Sequence, residues 1–136
     1  MKLRTRPLSL IVALTVLAAC SDVIRIDQPL EIPGATKYFD GSLFRPLWNG
    51  LEACSKLSGD LDAVDFYSVA VETLPSSLHG IRTVGMYFPS SNRIFIVQSE
   101  MWTTSVIRHE MMHALLRDES GHPAKYFGSD GLCGYL

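Results

Sequence analysis

The sequence predicts an α+β domain, in which a short and mostly antiparallel sheet packs on a first helix and on a second, apolar helix near the C-terminal end. Three observations carry that expectation. Residues 42–57 set Leu43, Phe44, Leu47, Trp48 and Leu51 at i, i+1, i+4, i+5 and i+8, the stripe of a helix that buries one face. Residues 64–71, 81–88 and 93–97 are rich in β-branched and aromatic side chains and are bounded by turn formers, as strands are. Residues 104–117 contain neither glycine nor proline and carry apolar side chains around most of a helical circumference.

Taken in order, the chain opens with Lys2, Arg4 and Arg6 and then an apolar run over residues 8–19. The run is shorter than the ~20 residues needed to span a bilayer and has the proportions of a signal-peptide core. It ends in Leu17-Ala18-Ala19-Cys20, which resembles a bacterial lipobox. The resemblance implies cleavage before Cys20, acylation of that cysteine and anchoring in the bacterial cell envelope. Ser21 after the cysteine implies the outer membrane, with the domain facing the periplasm or the cell surface. An ordinary secretory signal with an incidental cysteine is the alternative.

Residues 1–19 are therefore read as a signal, 20–37 as a lipid-anchored tether and 38–136 as the domain. Loss of Lys2, Arg4 and Arg6 with the signal would move the formal charge from −2 to −5. An acidic chain without a basic run lacks the electrostatic footprint of a nucleic-acid binder. The tether holds Pro29, Pro33 and Gly34 and shows no sustained periodicity, apart from a short strand-like run at residues 23–26. A monomer is expected.

Within the domain, Gly50 weakens the first helix and Ser58-Gly59-Asp60 ends it. His79 falls in a polar loop and is not expected at a metal site. Pro89-Ser90-Ser91-Asn92 reads as the turn of a hairpin whose second strand is residues 93–97. There Ile94 and Ile96 alternate with Phe95 and Val97, as they would with both faces buried. Cys54 and Cys133 are the pair left once Cys20 is acylated, and in an oxidising compartment they are expected to form a disulfide. Cys133 as a metal ligand is the alternative.

The chemistry is concentrated at His109-Glu110-Met111-Met112-His113. Residues four apart share a helix face, so both imidazoles can meet one zinc ion, while Glu110 can reach a water as general base. A third ligand is expected from His122, because Ser120-Gly121 looks like a helix stop after which the chain can fold back. Gly121 is expected to take positive φ there. Glu119 is the alternative third ligand. Asp118 and Asp130 read as supporting or solvated carboxylates. The metzincin spacing fails, since Leu116 and Glu119 stand where that pattern has glycine and histidine.

Over residues 106–127, with His109, Glu110 and His113 and the run from His122 to Phe127, the chain resembles the small gluzincin-like zinc metalloproteases of the SprT and WLM type. That resemblance implies a zincin-like domain, a single Zn2+ and hydrolysis of a peptide or protein substrate. In zincins generally the strand before the active-site helix borders the cleft, which implies that residues 93–97 pair with the substrate. An interior strand is the alternative. No oxyanion donor stands out; Tyr126, close to His122, and Tyr87 are the candidates, with packing as the competing role. Two other readings stay open: an envelope lipoprotein that binds zinc without proteolysis, which the presence of Glu110 argues against, and an interaction module in which the helix only packs.

Overall fold

The structure is a computed structural model that describes residues 32–38, 40–74, 83–118 and 121–134. The signal, Cys20, the strand-like run at 23–26, His79 and Glu119 lie outside the described residues.

Strands β1 (Ala35–Tyr38), β2 (Asp65–Val69), β3 (Gly85–Phe88) and β4 (Arg93–Val97) form one sheet in the order β1-β2-β4-β3. The pairs β1–β2 and β3–β4 are antiparallel, and β2–β4 is parallel. With helices α1 (Arg45–Ser55), α2 (Thr104–Leu116) and the short α3 (Ala124–Phe127), the fold is α+β, as the residue patterns predict. The sheet begins at Ala35, so part of the stretch read as tether is already a strand. No helix among the described residues is long and apolar enough to cross a membrane.

The alternation in β4 divides the interior into two. Ile94 and Ile96 face the main core with Phe44, Trp48, Leu51, Phe66, Met111 and Met112. Phe95 and Val97 face the opposite side of the sheet with Ile32, Val69 and Leu74. A strand buried on both faces needs neighbours on both edges, and β4 has β2 on one and β3 on the other. It therefore has no free edge, which corrects the expectation that residues 93–97 bind substrate. The hairpin turn at residues 89–92 puts β3 outside β4, and Asn92 takes the left-handed conformation (φ 53°) that asparagine tolerates well. Its side chain accepts from Tyr87 Oη at 2.9 Å and donates to the Ala63 carbonyl at 2.6 Å.

The first helix is shorter than its apolar run. Residues Gly41–Phe44 form a 3-10 turn capped by Asp40, Pro46 occupies the first turn of α1, and Lys56 closes the helix in the left-handed region. In a 3-10 turn successive side chains are about 120° apart. Phe44 goes inward and Leu43 is 53% exposed, so Leu43 drops out of the expected core stripe. Burial of side chains the size of Trp48 and Leu51 contributes roughly 1.5–3 kcal/mol each, and it fixes α1 against α2.

Helix α2 buries Ile107, Glu110, Met111, Met112, His113, Ala114 and Leu115 between α1 and the sheet. It ends at Leu116, before the Ser120-Gly121 stop that the sequence suggests. Arg117 adopts φ 54°, its N–H bonds the Ala114 carbonyl at 3.3 Å, and the Asp118 N–H bonds the His113 carbonyl at 3.2 Å. These are the paired bonds of a Schellman cap, made here without glycine. Positive φ thus falls on Arg117 rather than on Gly121, because the cap bonds already close the helix at that point.

Candidate metal centre

His109 and His113 project from one face of α2, a turn apart, and His122 arrives from the segment that leads into α3. Their Nε2 atoms converge: His109 lies 3.2 Å from His113 and 3.0 Å from His122. All three ligand atoms lie within 4.8 Å of one another, and they are the one such group among the described residues. Tetrahedral sites with Zn–N of about 2.0–2.1 Å hold neighbouring nitrogens about 3.3 Å apart. The spacing suits a metal ion of that size.

The tautomer of His113 is set by its surroundings. Its Nδ1 lies 2.7 Å from the backbone carbonyl of Asp118, which can only accept, so Nδ1 carries the proton and Nε2 turns its lone pair into the cluster. Burial, then the neighbouring His109, pulls the His113 pKa down to about 4, so the ring is neutral at physiological pH. A neutral imidazole held by a carbonyl is the oriented state of a metal ligand. Asp118 also accepts from the Gly121 N–H through Oδ1 at 3.1 Å, and a side chain at Gly121 would collide with that carboxylate. One residue thus holds His113 by its backbone and shapes the approach to His122 by its side chain. Asp130 is exposed and makes no comparable contact.

Glu110 follows His109 by about 100° around the helix, and its carboxyl is turned toward β3. A Cβ at Gly85 would stand 2.6 Å from Glu110 Oε1, so the carboxyl occupies space that only a glycine strand residue leaves. Burial pushes the Glu110 pKa up to about 8. Gly85 escaped the sequence reading, although a glycine inside a strand pattern is a signal of close approach.

Among the described residues, β3 rather than β4 stands at the edge of the sheet. Val97 N–H bonds the Val84 carbonyl at 2.9 Å, and the antiparallel register continues from there. Alternation of bonded and non-bonded pairs then turns the N–H and C=O of Gly85 and Tyr87 away from β4. Among the described residues, the bridge from Leu74 to Thr83 covers the strand's approach and no strand pairs with Gly85–Phe88 on the outer side.

The remaining assignments separate cleanly. Tyr87 is buried in the main core with its hydroxyl on Asn92, which accounts for it as a packing residue rather than an oxyanion donor. Tyr126 packs partly against the same core under the Lys125 ammonium, 5.1 Å from its ring. Cys54 and Cys133 are joined by a disulfide, which ties α1 to the chain beyond α3. Arg108 Nη2 adds a 2.8 Å bond to the Cys133 carbonyl. The Phe127 ring meets all three imidazoles. Compared with protein-family models, with curated proteins and with solved structures, the chain matches none.

Proposed function

We propose that this protein is a zinc-dependent peptidase that hydrolyses peptide bonds with Glu110 as general base. The observation that carries the reading is the convergence of three imidazole nitrogens, two of them on a helix whose buried Glu110 packs against Gly85 of β3. Three imidazoles that leave a coordination position open are a catalytic donor set for zinc. A structural site would have no use for the glutamate.

His109, His113 and His122 would hold the ion. Bound there, zinc supplies Lewis acidity, lowering the pKa of water toward 7 and polarising a carbonyl. The chain's own residues do the rest. Glu110, ionised once the charge of a bound cation offsets the effect of its burial, accepts the proton of the attacking water and passes it to the departing amine nitrogen. The outward N–H and C=O groups of Gly85 and Tyr87 bond the main chain of an extended substrate, which gives register with little regard for its side chains. The neighbouring core, with Met111 and Met112 fully buried, keeps bulk water from the helix side of the centre.

The envelope location is proposed on Cys20 and the preceding apolar run. Acylation would tether a domain whose first described residue, Ile32, stands twelve positions after the anchor.

The deciding experiment pairs metal content with hydrolysis. The purified full chain should carry one zinc and cleave an unstructured protein substrate. Glu110→Gln should keep the zinc and lose the cleavage, because the ligands are untouched and the base is gone. A wild-type chain loaded with zinc that cleaves nothing would leave a non-proteolytic zinc protein as the better reading.

A further inference from the structure

Phe127 ends α3, five positions after His122, and is partly buried against the main core. Its ring centroid lies 4.9 Å from that of His109, 4.8 Å from that of His113 and 4.8 Å from that of His122. The imidazole centroids are themselves 4.9, 5.0 and 4.8 Å apart. Four rings therefore occupy the corners of a nearly regular tetrahedron. Equal distances to three rings put the phenyl on the axis about which the imidazoles are equivalent. A side chain that merely filled space beside α2 would favour one histidine.

We propose that Phe127 is a positioning residue for the metal centre: its ring, on the side of the three imidazoles away from the coordination position left open, is the common wall against which all three are held with their Nε2 atoms convergent. The inference rests on the metal-binding reading of the three histidines and not on proteolysis.

The need for such a wall follows from the chemistry. Convergent imidazole lone pairs repel one another when no cation lies between them, so the rings tend to turn apart. The His113 ring is already fixed by the Asp118 carbonyl. His122 is exposed and stands between Gly121 and Pro123, outside any helix. Contact with an aromatic face at 4.5–7 Å restrains ring orientation without competing for a nitrogen. An apolar wall also dries one side of the centre, which strengthens nitrogen–metal bonding. Because α3 follows His122 so closely, docking of Phe127 and delivery of the third ligand are one event.

The test is a zinc competition titration on the full chain, alongside the visible absorption of the Co2+-loaded chain, which reports ligand geometry. Phe127→Ala should lower zinc affinity by about 10- to 100-fold and alter the Co2+ bands. Phe127→Tyr, which keeps the ring, should restore both. Tyr126→Ala is the control for loosening of α3, because that ring makes none of these imidazole contacts, and it should keep most of the affinity. If Phe127→Ala fails to fold when metal-free, Phe127→Leu keeps the apolar bulk without the flat faces and should still lose affinity at an unchanged metal-free melting temperature.

Zinc bound as tightly, or more tightly, by the folded Phe127 variants would overturn the proposal. So would an equal loss in Tyr126→Ala. A wild-type chain with no zinc affinity would overturn the metal reading and this inference together. A wild-type chain that binds zinc but hydrolyses nothing overturns only the peptidase reading.

Discussion

His113 and Asp118 are bonded to each other twice. The Asp118 N–H donates to the His113 carbonyl at 3.2 Å, and His113 Nδ1 donates to the Asp118 carbonyl at 2.7 Å. The first bond ends α2, and the second orients the imidazole. The turn that stops the helix is thus also the support of a candidate metal ligand, and its shape cannot change without turning the ring.

The side chain of Asp118 extends that support toward His122. Asp118→Ala should therefore weaken zinc binding about tenfold, with only a small change in metal-free stability because the residue is exposed. Gly121→Ala should do the same, since its Cβ would take the place of the Asp118 carboxylate. Chelator competition on both variants checks the expectation; wild-type affinity in both would remove Asp118 from the metal centre.

Three imidazoles form a sufficient donor set, so the third ligand should be His122 and not Glu119. His122→Ala should lose most of its zinc and all cleavage. Glu119→Ala should keep its zinc. Metal analysis of the two purified variants decides, and the opposite pattern would defeat the ligand assignment and the resemblance to the SprT and WLM proteases with it.

A substitution at Gly85 tests metal binding and the proposed cleavage separately, because Gly85 approaches Glu110 and not the three histidines. A methyl there would press on Glu110, displacing either the carboxyl or β3 at a cost of roughly 1–3 kcal/mol. Gly85→Ala should keep its zinc, melt lower, and lose cleavage more than tenfold, because a general base contributes about 10²–10⁴-fold only when correctly placed. Full cleavage by Gly85→Ala would show that the close approach of β3 to Glu110 is packing alone.

The disulfide holds the far end of the segment that carries His122 and Phe127. Cys54 and Cys133 are 79 residues apart, and closing a loop of that size stabilises by about 4.5 kcal/mol on the chain-entropy account. The double variant Cys54→Ser, Cys133→Ser should melt more than about 10 °C below wild type and bind zinc more weakly, since the segment then depends on Arg108 and on core contacts of Tyr126 and Phe127. Scanning calorimetry with and without a reductant checks the first effect. A zinc affinity unchanged by reduction would show that α3 docks without the covalent tie.

What the sequence determined by itself is what short-range periodicity encodes. The four-residue interval of His109 and His113 fixes their common face on any helix, and the absence of glycine and proline over residues 104–117 marks the helix that the structure closes at Leu116. The alternation of Ile94 to Val97 was enough to place β4 with its bounds and to show that both faces are buried. The stripe through Phe44, Trp48 and Leu51 likewise marked the buried face of α1. Each of these depends on neighbours within a turn or a pleat. Tertiary structure alone decided the order of the strands, because pairing partners are chosen by contacts between distant segments: β2 and β3 flank β4, and among the described residues Gly85–Phe88 stands at the edge of the sheet. It also decided that Arg117 turns the chain, since a left-handed arginine is stable only where the surrounding bonds repay its strain of roughly 1–2 kcal/mol. The meeting of His122 and Phe127 with α2, and the space Gly85 leaves for Glu110, are likewise products of packing between elements far apart in the chain, which no local pattern of residues can specify.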